Sequence, residues 1–252
     1  MNIYLIFAII AVLSYFVGTI NFSRIIAWRS ARKDITKLGS GNPGTMNMLR
    51  NLGFLPALLT FLAEVVKAGV CCLVCKIILE HTGYAEYATL AYFFAGAFII
   101  IGNDFPVFFH FKGGKGIACM VGMFLFTPLW WVGLIIFVLL AILLAITEYA
   151  FISSFGFIVG MSIAVTVHVF THSVPYAIGI VVIVWLLTIL AIIQHRGNLA
   201  RMFKGQEHKA HFKSSIKRFF KKQKGVEEIK EEHVESAPEN EIIIEDDEKN
   251  GN

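Results

Sequence analysis

An all-α, polytopic integral membrane protein with about seven transmembrane helices is the fold class that three observations predict. The 252-residue chain is 56% hydrophobic and its mean hydropathy is +0.68, well above an ordinary globular domain. Several runs of about 18 or more residues carry almost no charge, the length a helix needs to cross the hydrocarbon core. The loops between these runs alternate between basic and uncharged or acidic, as loops on alternating sides of a bilayer do.

Taken in order, span one covers about residues 3–22, and a segment with Arg24, Arg29, Arg32, Lys33, Lys37 and Arg50 follows. The start Met1-Asn2-Ile3-Tyr4 has neither a basic n-region nor a small-residue cleavage site, so the first span is expected to be retained. Span two covers residues 53–79 and contains Glu64 and Lys67, which either pair at i, i+3 or line a site. Span three covers residues 87–101. The expected span four is short, residues 117–126, and ends at Thr127-Pro128. Spans five, six and seven are expected at residues 129–146, 155–170 and 176–193, with a polar patch from Glu148 to Ser154 between the first two.

The loops after spans one, three and five and after the last span hold nearly all the loop Lys and Arg. The positive-inside rule therefore puts the amino terminus outside and the carboxyl terminus in the cytoplasm. Up to Gly225 there are 20 Lys and Arg against 7 Asp and Glu, while the last 27 residues hold 11 acids. The expected organisation is a membrane domain over residues 1–207, a basic amphipathic interfacial segment over 208–225, and an acidic disordered tail over 226–252. Phe212, Ile216, Phe219 and Phe220 recur at helical spacing with Lys and Arg between them, which suits anionic membrane lipid. Positive-inside bias explains the basic clusters, so no nucleic-acid partner is indicated. Cys71, Cys72, Cys75 and Cys119 sit in apolar runs and read as buried hydrophobes. His168 and His172 lack a third ligand, so neither metal nor cofactor is expected.

The chemistry is expected on the basic side. Gly39-Ser40-Gly41-Asn42-Pro43-Gly44-Thr45-Met46-Asn47-Met48-Leu49-Arg50 cannot form a regular helix across its glycines and proline. It carries neutral hydrogen-bond groups and, in Arg50, a planar fork of donors suited to phosphate. Lys112-Gly113-Gly114-Lys115-Gly116 offers two ammonium groups, exposed glycine amides and the start of a helix, all favourable to an anion. It lacks the Walker spacing. Two anion sites on one face suggest two phosphorylated ligands, or one with two charged ends.

With His195-Arg196-Gly197-Asn198, Arg201, Gly205 and Glu207, and with Phe105-Pro106-Val107-Phe108 before the lysine-glycine run, the pattern resembles the acyl-phosphate-dependent glycerol-3-phosphate acyltransferases, the PlsY family, over about residues 1–207. The resemblance implies transfer of a fatty acyl group from acyl phosphate to the 1-hydroxyl of glycerol 3-phosphate, giving lysophosphatidic acid and phosphate for phospholipid synthesis at a bacterial inner membrane. It implies catalytic roles for Ser40, Arg50, His195 and Asn198. It implies substrate binding by Gly41, Asn42, Asn47, Lys112, Gly113, Gly114, Lys115, Gly116, Ser153 and Ser154, and a structural role for Glu207. An acyl-phosphate-forming enzyme is a partner by family analogy alone. The sequence departs from the family pattern at Asn103, Met46, Glu148 and Phe151. A non-catalytic or altered-substrate paralogue that binds a phosphorylated lipid precursor therefore stays open, as does an organic-phosphate transporter.

Overall fold

A computed structural model describes residues 2–221; the acidic tail expected over 226–252 lies outside them. The described residues form α-helices and short 3-10 turns, with no strand among them. Among the described residues six helical stretches are long and apolar enough to cross a membrane, and the chain is a multi-pass membrane protein.

Helix α1 (Ile3–Thr19) starts where the Asn2 side chain accepts from the Tyr4 amide, a usual way to satisfy a first-turn donor. It ends at Ile20, and Asn21 caps α2 (Phe22–Ala31) in the same manner through the Arg24 amide. After a loop, the short α3 (Thr45–Leu52) buries Met48 and Leu49. Gly53 then turns the chain into the 27-residue α4 (Phe54–Glu80), about 40 Å long at 1.5 Å per residue. Next come α5 (Ala88–Asp104), α6 (Ile117–Leu125), α7 (Trp130–Thr147), α8 (Ala150–Thr171), α9 (Ala177–Gln194) and α10 (Arg196–Phe203).

Lipid is as apolar as Leu, so membrane helices associate through close backbone packing more than through hydrophobic burial. Helices α1 and α5 meet at Gly18 and Gly102. A Cβ on Gly102 would sit 2.1 Å from the Tyr15 carbonyl oxygen, and one on Gly18 would sit 2.3 Å from that of Ile99. The main core joins α4, α5, α6, α8 and α9 through Cys72, Phe93, Ile99, Met120, Phe124, Met161 and Val184. Outward-facing residues such as Leu139, Ile178 and Leu186 stay exposed on α7 and α9, as a lipid-facing surface requires.

The short span four expected over residues 117–126 is α6. Helix α6 has nine residues, about 13 Å, and does not cross a bilayer alone. It begins beside Ile100 and Asp104, where Gly116 packs. It ends with Tyr92 Oη donating to the Met123 carbonyl and Phe126 over Gly69. The lysine-glycine loop packs on the carboxyl end of α5, so α6 starts from that end of the bundle. Span six differs. Ser153 and Ser154 belong to the first turns of α8, because Glu148 takes a left-handed conformation and breaks the chain tightly after α7. Ser154 Oγ donates to the Ala150 carbonyl, a bond that lets serine sit inside a helix.

Glu64 and Lys67 pair at 2.5 Å with their side chains 7% and 6% exposed. Lys67 Nζ also donates to the Gly18 and Ile20 carbonyls, and Glu64 accepts from the Phe22 amide. The pair therefore satisfies the orphan groups at the α1–α2 break, the kind of partner a helix end in lipid needs.

Candidate active site

The carboxyl ends of α1, α5 and α9 and the amino ends of α4, α6 and α8 gather at one end of the bundle, and the basic motifs meet there. In the first loop, Asn47 is the hub. Its Oδ1 accepts from the Ser40 amide at 3.1 Å and from Asn51 Nδ2 at 2.9 Å, while its Nδ2 donates to the Ile35 and Leu38 carbonyls. All four hydrogen-bond positions of the amide are taken, so Asn47 builds the loop. The loop leaves Ser40 half free: its Oγ accepts from the Asn42 amide at 3.5 Å, and its proton has no protein acceptor among the described contacts. Gly41 closes the turn by donating to the Leu38 carbonyl.

The lysine-glycine loop corrects one expectation. The amides of Gly113 and Gly114 are not exposed to an anion; they donate to the carbonyls of Asp104 and Asn103. Their role is to cap α5, whose last carbonyls would otherwise be orphaned. The approach is close enough that a Cβ on Gly113 would lie 2.1 Å from the Asn103 carbonyl oxygen. The groups left for an anion are Lys115, the exposed Lys112 and the first-turn amides of α6 behind Gly116. Lys115 Nζ donates to Asn198 Oδ1.

The third motif supplies a counter-charge. The chain breaks at His195, and α10 carries Asn198 and Arg201 at i, i+3. Glu207 joins them: its Oε1 accepts from Asn198 Nδ2 at 2.7 Å and its Oε2 from Arg201 Nε at 3.0 Å. Arg50, Lys115 and Arg201 thus share a neighbourhood with Glu207. Burial pulls the Lys115 pKa down to about 8; Arg201 and Arg50 push the same way, and Glu207 and Asp104 oppose them. Burial likewise lowers Arg50, with Glu207 opposing and Arg201 adding to the shift. His195 is 5% exposed and falls to about 4, through burial and then Lys115. Its Nδ1 lies 2.8 Å from the Ala191 carbonyl, so the neutral ring carries its proton there and leaves Nε2 as an acceptor. Phe155 packs edge-on against the ring, and in α8 the buried Ser153 Oγ has no hydrogen-bond partner among the described residues.

Arg50, Lys115 and Arg201 stand around one carboxylate, Glu207, with neutral His195 near Lys115. The profile of the family described as glycerol-3-phosphate acyltransferase matches residues 8–205. The chain belongs to that family. A glycerol-3-phosphate acyltransferase of Francisella tularensis subsp. mediasiatica is 34% identical over 216 residues, covering 82% of this chain and 95% of its own. One from Thermoanaerobacter pseudethanolicus is 34% identical over 208 residues, covering 82% and 97%. The crystal structure of PlsY (YgiH), an integral membrane glycerol 3-phosphate acyltransferase in its glycerol 3-phosphate form, superposes with a TM-score of 0.66 at 25% identity. It covers 81% of this chain and 94% of that one. Its lysophosphatidic acid form gives 0.63.

Against this family background, two site groups escaped the sequence reading. Asp104 is 3% exposed and accepts from Asn103 Nδ2 and Gln194 Nε2. Arg24 Nη2 donates to the Lys112 carbonyl, and its guanidinium lies 4.1 Å over the Phe109 ring. The only signals were a carboxylate closing an apolar span and a cation two residues past the expected end of another.

Proposed function

We propose that this membrane acyltransferase moves a fatty acyl group from acyl phosphate to the 1-hydroxyl of glycerol 3-phosphate, at the cytoplasmic face of a bacterial inner membrane. The observation that carries this reading is the grouping of Arg50, Lys115 and Arg201 around Glu207 and Asn198. Two phosphorylated reactants repel each other, and a cluster of partly buried cations offsets that repulsion and places both. The acyl donor's phosphate is a good leaving group, so no covalent enzyme intermediate is required. The glycerol 1-oxygen bonds to the acyl carbon, the bond from that carbon to the phosphate oxygen breaks, and the hydroxyl proton passes to the departing phosphate. Products are lysophosphatidic acid and inorganic phosphate.

In this scheme Ser40 Oγ, whose proton is uncommitted, donates to the acyl carbonyl or a phosphate oxygen. Arg50 and Lys115 hold the phosphates, with Lys112 at the solvent side. Neutral His195 Nε2 accepts from a glycerol hydroxyl. Ser153, an orphan hydroxyl costly to leave unmade in a buried place, gains a partner when substrate arrives. Gly41, Asn42, Gly113, Gly114, Gly116 and Asn47 shape the walls, and Glu207 keeps Arg201 and Asn198 in register. The purified protein should form lysophosphatidic acid from acyl phosphate and glycerol 3-phosphate. Ser40→Ala and Arg50→Ala should lower turnover at least about 100-fold with melting unchanged. Binding of both substrates without product would favour the non-catalytic paralogue, and full activity in both variants would refute the site.

A further inference from the structure

We propose that the segment after Glu207 is a strap that holds the Arg50 guanidinium in one orientation over the site; this rests on the reading of Arg50 given above. The family profile matches residues 8–205 and so ends just before this segment. The segment nevertheless contacts a residue of the first motif directly. Arg50 Nε donates to the Lys209 carbonyl at 3.0 Å, and Nη2 donates to the His208 carbonyl at 2.9 Å. Two successive carbonyls thus engage two sides of one planar fork and leave three N–H bonds for an anion. A guanidinium fixed in this way loses its rotational freedom before substrate binds, which is the condition for a well-placed charge.

The strap is fastened on both sides of that contact. Upstream, the Gln206 amide donates to the Arg201 carbonyl. Downstream, the Ala210 amide donates to the Glu148 carbonyl at 2.8 Å, and Ala210 is fully buried. Residues 212–221 are helical. Phe212 and Phe219 from this helix pack against Phe54, at the start of α4, with ring centroids 6.4 and 5.6 Å away. Phe212 and Phe219 therefore face protein, while Phe220 is 59% exposed and Lys213, Lys217, Arg218 and Lys221 are exposed with it. Since the carbonyls are main chain, no side chain at 208 or 209 is needed for the contact. What matters is the fastening by Ala210, Phe212 and Phe219, and these act as positioning residues.

The test uses full-length protein in lipid nanodiscs. Ala210→Trp and the double variant Phe212→Ala/Phe219→Ala should each lower kcat/KM for glycerol 3-phosphate about 10-fold or more, and Phe212→Leu/Phe219→Leu should restore most of it. In an Arg50→Lys background the same strap variants should change kcat/KM by less than about twofold, because one ammonium cannot span both carbonyls. A merely structural strap would lower activity equally in both backgrounds. Independently of turnover, Arg50→Ala should speed hydrogen exchange at the Ala210 amide. Strap variants within twofold of wild type, equal losses in both backgrounds, or unchanged exchange in Arg50→Ala would each overturn the proposal. If wild-type protein makes no lysophosphatidic acid, the functional reading fails, and the exchange measurement still decides the strap.

Discussion

Glu207→Gln keeps the shape of the side chain and removes the carboxylate that faces Arg201, Asn198 and, through Asn198, Lys115. One amide separates Lys115 from Glu207, so the charges lie roughly 7 Å apart. At an effective dielectric constant of about 40, between a half-buried site and water, their attraction is about 1 kcal/mol, or just under one pKa unit. Lys115 is held near 8 with Glu207 present, so without it the group should titrate near about 7. The charged ammonium is the form that holds phosphate, and it is lost as pH rises through its pKa. At pH 7.5 the charged fraction should drop from about three-quarters to about one-quarter. The assay is KM for glycerol 3-phosphate between pH 6.5 and 9. The alkaline limb should begin near pH 8 in wild type and about one unit lower in Glu207→Gln. Lys115→Arg should move that limb beyond the range, since a guanidinium stays charged. A limb at the same pH in wild type and Glu207→Gln would refute the assignment of Glu207 as the cation's counter-charge.

Two further predictions concern the scaffold. Gly102→Ala drives a methyl into the Tyr15 carbonyl and should destabilise the protein by about 2 kcal/mol or more, read as a lower melting temperature in detergent; an unchanged melt would contradict the close α1–α5 crossing. Lys67→Met leaves Glu64 buried without its ion partner and should cost about 3–5 kcal/mol. Adding Glu64→Gln should recover most of that loss, whereas no recovery would mean that the capping of Gly18 and Ile20 matters more than the charge balance.

The long spans could be read directly, because eighteen uncharged residues have few other places to go. Helix α6 was read at its bounds and as short, but nine residues are too few to cross a bilayer by length alone. Ser153 and Ser154 looked like loop residues because they are polar, yet both lie in α8, where the Ser154 hydroxyl satisfies itself on a carbonyl one turn back. The site motifs were visible as clusters of Gly, Lys and Arg, but sequence does not say who takes an amide. Gly113 and Gly114 spend theirs on α5, and Asn47 spends its whole amide on its own loop. The amphipathic pattern from Phe212 to Phe220 was likewise plain, whereas its docking on Phe54 required the three-dimensional position of α4. The Glu64–Lys67 spacing allowed two roles, and the broken end of α1 selected the pair.

The claim that everything else depends on is that Arg50 and Lys115 together hold a phosphorylated substrate at one end of the bundle. Calorimetric titration of glycerol 3-phosphate into nanodisc-embedded protein at pH 7 tests it without turnover. Wild type should bind saturably, and Arg50→Met and Lys115→Met should each weaken binding about 10-fold or more, as loss of a charge-assisted contact requires. Equal affinity in all three proteins would contradict the account.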